Sequence, residues 1–191
     1  GHKSVREALR NTEKYSSDLQ GDADVRDYRQ LPLEVDPPRH HLYRAALTPY
    51  FVKPTIEKKS PEFRKNSAEL ISKVFGTDSE ISRSLALPLV MKNLGVIYNR
   101  PQDVAEWVSW GESVWTAAGD GRNGDVLHRH LDAIYEEAIS NPKQDIWAEI
   151  ARLEIGGKVI SKEEFIGISS VMLAGGRDTV VKLITGAIWH F

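Results

Sequence analysis

Hydrophobic residues recur with helical spacing along most of this chain, and the places where the rhythm stops mark its connections. Val5 to Asn11 carries a short helical pattern, followed by the irregular Tyr15-Ser16-Ser17-Asp18. Residues 19–35 hold no sustained period, which predicts a long loop, and loops of that length tend to be functional. Asp36-Pro37-Pro38 places a capping acid before prolines suited to a first helical turn, so a helix is expected from there to about Leu47, ahead of Pro49. Thr55 to Val74 repeats Ile56, Phe63, Leu70 and Val74 between charges, and Ile81 to Leu94 is apolar enough for a buried helix. Gln102 to Trp115 predicts another, through Val104, Trp107, Val108, Trp110, Val114 and Trp115. Gly119-Asp-Gly-Arg-Asn-Gly124 interrupts the pattern as a connection, and Val126 to Ile139 resumes it until Asn141-Pro142. Asp145 to Leu153 reads as a short helix, and Glu154 to Ile160 as a hairpin turning on Gly156-Gly157. The expected class is mostly α.

The last segment carries the most chemistry. Ser161 followed by Glu164 forms a capping box. From there to Phe191 no proline intervenes, so one helix of about thirty residues, roughly 45 Å long, is expected. Gly175 and Gly176 lie inside it and should each cost about 1 kcal/mol against alanine. Arg177, Asp178 and Thr179 follow at once. A helix weakened where something needs close backbone approach, beside an acid and an alcohol, fits an active-site helix. A packing notch for a neighbouring helix fits the same glycines.

Composition narrows the alternatives. The 191 residues are 41% hydrophobic and 27% charged, as in an ordinary globular domain, and the formal net charge of −2 does not point to nucleic acid. The absence of cysteine excludes disulfides, cysteine nucleophiles and thiolate metal sites within these residues. The best apolar run, Phe165 to Gly176, stops at Arg177, short of the ~18 residues a membrane span needs. The polar opening Gly1-His2-Lys3-Ser4 has no signal-peptide pattern, so a cytoplasmic protein without membrane contact is expected.

Other candidates are weaker. His40 and Arg44, four apart, share a helix face and could grip a dicarboxylate or a phosphate, although an exposed polar face is the commoner outcome. His128 and His130 diverge on a helix, which argues against a metal pair. The Gly119–Gly124 loop lacks the Lys-Ser/Thr of a phosphate loop and the oxygen ligands of a calcium loop. The tryptophans suit a core better than a base-stacking platform. Arg39, Lys58, Lys59, Arg64 and Lys65 cluster in sequence, as a solvated face or as a docking patch for an acidic partner.

Taken in order, these pieces resemble the cytochrome P450 family, the haem-thiolate monooxygenases, in its bacterial soluble branch. Tyr15-Ser16-Ser17-Asp18 resembles the segment after the family's B helix. Asp36-Pro37-Pro38-Arg39-His40-His41-Leu42-Tyr43-Arg44 resembles the start of its C helix. The run from Asn141-Pro142 through Asp145-Ile146 to Gly156-Gly157-Lys158-Val159-Ile160-Ser161 is similar to the passage from G helix through H helix to I helix. Gly175-Gly176-Arg177-Asp178-Thr179 matches the I-helix signature, with Val180 where a second Thr or Ser often stands.

The resemblance implies one partial domain over residues 1–191. It would be an incomplete cytochrome P450 fold, helices B to I with a small hairpin before the I helix at 161–191, and without the haem-ligand half. It implies haem b in the full-length parent, with His40 and Arg44 on a propionate and Gly175 and Gly176 at an oxygen groove. Asp178 and Thr179 would be the proton-delivering pair. Residues 19–35 would be the B–C region roofing a substrate pocket, and 119–124 part of an access lid. The parent would insert an oxygen atom from O2 into a small apolar organic substrate, with electrons from a ferredoxin-type or other redox partner. The family's Glu-x-x-Arg helix and cysteine loop have no counterpart here. The chain is therefore expected to be a fragment that is inactive alone, binds haem without a thiolate or not at all, and self-associates through uncovered core. A haem-free helical module for ligands or protein partners, or one half of a split enzyme, are the competing readings.

Overall fold

The computed structural model describes residues 1–18, 28–110 and 124–191. Of the segments singled out above, most of the Gly119–Gly124 loop, residues 19–27, Val114 and Trp115 lie outside the described residues. Helices α1 (His2–Ala8), α2 (Arg39–Phe51), α3 (Lys53–Glu57) and α4 (Ser60–Val74) come first. A π-helical turn, Ser82–Ala86, leads into α5 (Leu87–Tyr98). A 3-10 turn, Pro101–Asp103, leads into α6 (Val104–Ser109), and α7 (Gly124–Ser140) and α8 (Ile146–Ile150) follow. The hairpin β1 (Glu154–Ile155) and β2 (Lys158–Val159) precedes the 29-residue α9 (Lys162–His190).

Helix α9 is the axis: α5 and α7 pack along it, α4 covers α5, and α8 covers α7. Its start is fixed locally, as the sequence indicates. Ser161 Oγ accepts from Glu164 N, and Glu164 Oε2 accepts from Ser161 N at 2.8 Å. The Tyr43 hydroxyl donates to the other oxygen of Glu164, which ties α2 to this first turn. Burial, with Glu164 alongside, pushes the Tyr43 phenol up. The hairpin also forms as expected, with Glu154 opposite Val159 and both Gly156 and Gly157 at positive φ, the requirement of its tight turn.

Several boundaries differ from the sequence reading, among them α6, which stops at Ser109 with Trp110 already extended, inside the helix expected over Gln102 to Trp115. Helix α2 runs through Pro49 to Phe51. Only Tyr50 and Phe51 follow that proline in the helix, so the N–H it lacks interrupts the ladder only in the last turn, and the Pro49 carbonyl accepts from the Thr55 hydroxyl at 3.0 Å. The single helix expected over Thr55 to Val74 is two, α3 and α4, because Pro61 fits only a first turn and forces a restart. Asp36 does not cap α2, which starts behind Pro38 without a side-chain cap. The Asp36 carboxylate instead accepts from the Ser16 hydroxyl and from Ser17 N at 3.0 Å, tying the irregular segment after α1 to the start of α2.

The core is a row of aromatic rings. Tyr98 meets Trp147 at 4.9 Å and Trp107 at 6.2 Å, and Trp147 continues to Phe165 on α9. Trp107, Trp110 and Trp147 are buried, as a core reading of the tryptophans requires, while Trp189 is exposed. Two further contacts set the frame. Arg100, buried after α5, donates to Asp103 at 2.6 Å, to Glu137 of α7 at 2.6 Å and to Asp145, the cap of α8, at 3.0 Å. Burial opposes the Arg100 charge, and the three carboxylates outweigh it, holding the guanidinium above its ordinary pKa.

The second contact is a backbone crossing. The segment at Arg29–Leu31 passes over α9 at Gly167, where a Cβ would stand 2.1 Å from the Arg29 carbonyl oxygen, and Leu31 N donates to the Gly167 carbonyl at 3.3 Å. The Arg29 guanidinium donates to the Asp18 carbonyl at 3.3 Å and the Glu34 carbonyl at 3.0 Å, and also pairs with the Asp18 carboxylate.

Candidate functional site

One turn beyond that crossing, α9 and α2 enclose a cavity of about 220 Å³. Val171 and Met172 form its α9 wall, Leu47 and Phe51 its α2 wall, and Leu31 closes one end. Arg44 brings a cation to this apolar lining. The Tyr98 hydroxyl donates to the Met172 carbonyl at 2.7 Å, fixing the α9 wall from behind. Val171 and Met172 were not singled out in the sequence. The signal was available, since they stand four residues before Gly175 and Gly176 and so share their faces.

His40 does not join Arg44 there. It is half-buried one turn earlier, with its ring edge-on to His41 at 5.7 Å, and it does not line the cavity. The four-residue spacing places the two side chains on one side of α2, and only the longer one reaches the site.

The two glycines do different things. A Cβ on Gly175 would meet nothing within 4 Å, whereas one on Gly176 would come 2.9 Å from Leu94 Cδ2 of α5. Gly176 is thus the packing notch, and Gly175 is the position where α9 leaves space open. Gly175→Ala should therefore stabilise the helix by about 0.5–1 kcal/mol. Gly176→Leu should destabilise it by about 1–3 kcal/mol through overpacking. Thermal unfolding of the two variants should move in opposite directions, and a shared sign would refute this division.

Asp178 and Thr179 are engaged separately. The Thr179 hydroxyl donates to the Gly175 carbonyl at 2.9 Å, on the open face. The Asp178 carboxylate accepts from Arg177 at 2.5 Å. It lines a second, larger cavity of about 780 Å³ with Arg177, Lys182 and Trp110, which Arg44 does not reach. Successive helical residues point about 100° apart, so a single proton path through both needs a bridging molecule. No cluster of metal-ligating side chains occurs among the described residues. His128 and His130 diverge as expected, His128 towards Tyr28 and Asp132, His130 towards Trp107 and Trp110.

Comparison with known proteins decides what this frame is. The chain matches no family profile. It is 26% identical over 191 residues to a probable cytochrome P450 127A1 of Sinorhizobium fredii, covering 94% of this chain and 45% of that protein. It is 24% identical over 199 residues to the erythromycin C-12 hydroxylase of Saccharopolyspora erythraea, covering 96% and 49%. Among solved structures it is similar to a carbohydrate active P450, with 30% identity, a TM-score of 0.83, and coverage of 99% of this chain and 51% of that one. Over most of its length the chain is similar to cytochromes P450. It spans about half the length of the curated relatives it matches, and its fold corresponds to part of the cytochrome P450 fold. No described helix is long and apolar enough to cross a membrane.

Haem is the cofactor of cytochromes P450, and the residues at the smaller cavity fit one face of it. The lining is largely apolar, as a porphyrin face would require, and one turn along α9 the backbone at Gly175 is open. Arg44 stands where a carboxylate edge could be met by a guanidinium.

Proposed function

We propose that these residues form the oxygen-side half of a haem monooxygenase site, in a parent enzyme that oxidises a small organic substrate with electrons from a redox partner. The observation that carries the reading is the shared cavity of Arg44, Val171 and Met172, one turn from the open Gly175. When bound, haem would supply the redox chemistry itself. Arg44 would hold an anionic edge by charge-assisted hydrogen bonds, while Val171 and Met172 exclude water from one face. Thr179 keeps its hydroxyl proton on the Gly175 carbonyl, and its oxygen remains an acceptor for a proton-carrying water. Asp178, paired with Arg177, holds a charge on the adjoining face of α9.

Arg39, Lys58, Arg64 and Lys65 are exposed, which supports an acidic redox partner docking near α2 to α4. Lys59 is half-buried and donates to the Val96 carbonyl at 3.0 Å, so it contributes less to such a patch.

Titration of haem into the 191-residue chain tests the site. Binding at one haem per chain is expected, and Arg44→Ala should weaken it by about tenfold to a hundredfold, the loss of a hydrogen bond to a charged group. His40→Ala should weaken it less. The spectrum should lack a thiolate signature, because the chain holds no cysteine. No haem binding at all would favour the cofactor-free ligand-binding module instead. The same sample should self-associate in sedimentation at high concentration, since Leu183 is 70% and Trp189 91% exposed on α9. A monomer throughout would argue against that association.

A further inference from the structure

The contact between α6 and α7 depends on where one proton sits. His130 of α7 is 9% exposed at its side chain, and the fully buried Trp107 of α6 donates its indole N–H to His130 Nε2 at 3.0 Å. His130 Nδ1 lies 3.4 Å from Glu106 Oε2, and Trp110 stands edge-on to the imidazole at 4.9 Å. An indole nitrogen can only donate. Nε2 must therefore be the acceptor, and the neutral ring carries its proton on Nδ1, facing Glu106. A second proton, on Nε2, would set two N–H groups against each other across the same 3.0 Å. We propose that His130 is a proton-operated latch, tying α7 to α6 through Trp107 when neutral and releasing the indole when protonated.

The surroundings agree with this assignment. Burial favours the neutral ring; Glu106 of α6 and Asp103 of the preceding turn oppose it, and Arg100 reinforces it, leaving the imidazole below its usual 6.5. The folded chain then binds fewer protons at His130 than the unfolded one, so stability is lost as the pH falls below about 6.5. Release would be felt in the core, because Trp107 packs on Tyr98, the ring whose hydroxyl holds the Met172 carbonyl of α9.

Nitrogen NMR of the intact chain between about pH 8 and pH 5 tests the latch, with the Trp107 indole assigned through Trp107→Phe and the His130 ring through His130→Gln. The expected result is an Nδ1–H tautomer at the high end. The Trp107 N–H resonance should move with the His130 nitrogens along one single-proton curve with a midpoint below 6.5. Glu106→Gln, which removes a charge favouring the cation, should shift that midpoint further down. An Nε2–H tautomer would overturn the proposal. So would a Trp107 resonance that ignores the His130 curve, or unfolding of the chain before the curve begins. The wild-type titration decides the matter even where a variant fails to fold.

Discussion

Arg100→Ala is expected to cost the fold about 3–5 kcal/mol, because it strands buried carboxylates that one guanidinium now serves. Asp103 and Asp145 are both buried, and Asp145 also accepts from Ala148 N at 2.9 Å as the cap of α8. Removing Arg100 therefore unfastens the end of α5, the start of α6, α7 and α8 together. Lysine should rescue little, since it presents a point charge where a planar fork reaches three acceptors. Urea unfolding gives the measurement: a lower midpoint with an unchanged slope is the expected result.

Acid adds a second readout. Lys143 and Arg100 hold the Glu137 carboxyl below its ordinary 4.5, so the wild type keeps this contribution above about pH 4.5 and loses it as the pH falls. The acid limb should be shallower in the variant. An Arg100→Ala chain as stable as the wild type would mean that the carboxylates find other partners.

Gly167→Ala should be nearly as damaging, by about 3 kcal/mol, at the upper end of overpacking penalties. In an unobstructed helix the same change would stabilise by about 1 kcal/mol, so the sign of the result is diagnostic. Both atoms that would collide, the new Cβ and the Arg29 carbonyl oxygen, are fixed by backbone, and no rotamer relieves a 2.1 Å approach. Either α9 or the crossing segment must move, and the bond from Leu31 N is lost with it. Thermal unfolding checks the sign, and hydrogen exchange at Leu31 checks the cause. A stabilised variant would show that the chain does not cross there.

What the sequence disclosed, and what it withheld, divides by range. The capping box of α9 and the Gly156-Gly157 turn are local devices whose partners stand within a few residues, and both were legible. Asp36 looked like a cap for the same local reason, yet Ser16 and Ser17 claim its carboxylate from twenty and nineteen residues away. Spacing put His40 and Arg44 on one face without showing that only Arg44 reaches the cavity. The double glycine announced a close approach, but its division depended on Leu94 being opposite Gly176. Arg100 was invisible because its acceptors lie at positions 103, 137 and 145, which no pattern links. The family resemblance supplied the order of the elements; assignment of individual side chains needed coordinates.

The Arg29 clamp has a mechanical consequence. By gripping the Asp18 carbonyl and carboxylate as well as the Glu34 carbonyl, Arg29 keeps positions 18 and 29 close together while the Gly167 crossing anchors the downstream end. Arg29→Ala would therefore release Asp18 and the Glu34 carbonyl in one step, uncoupling the segment after α1 from the segment that crosses α9.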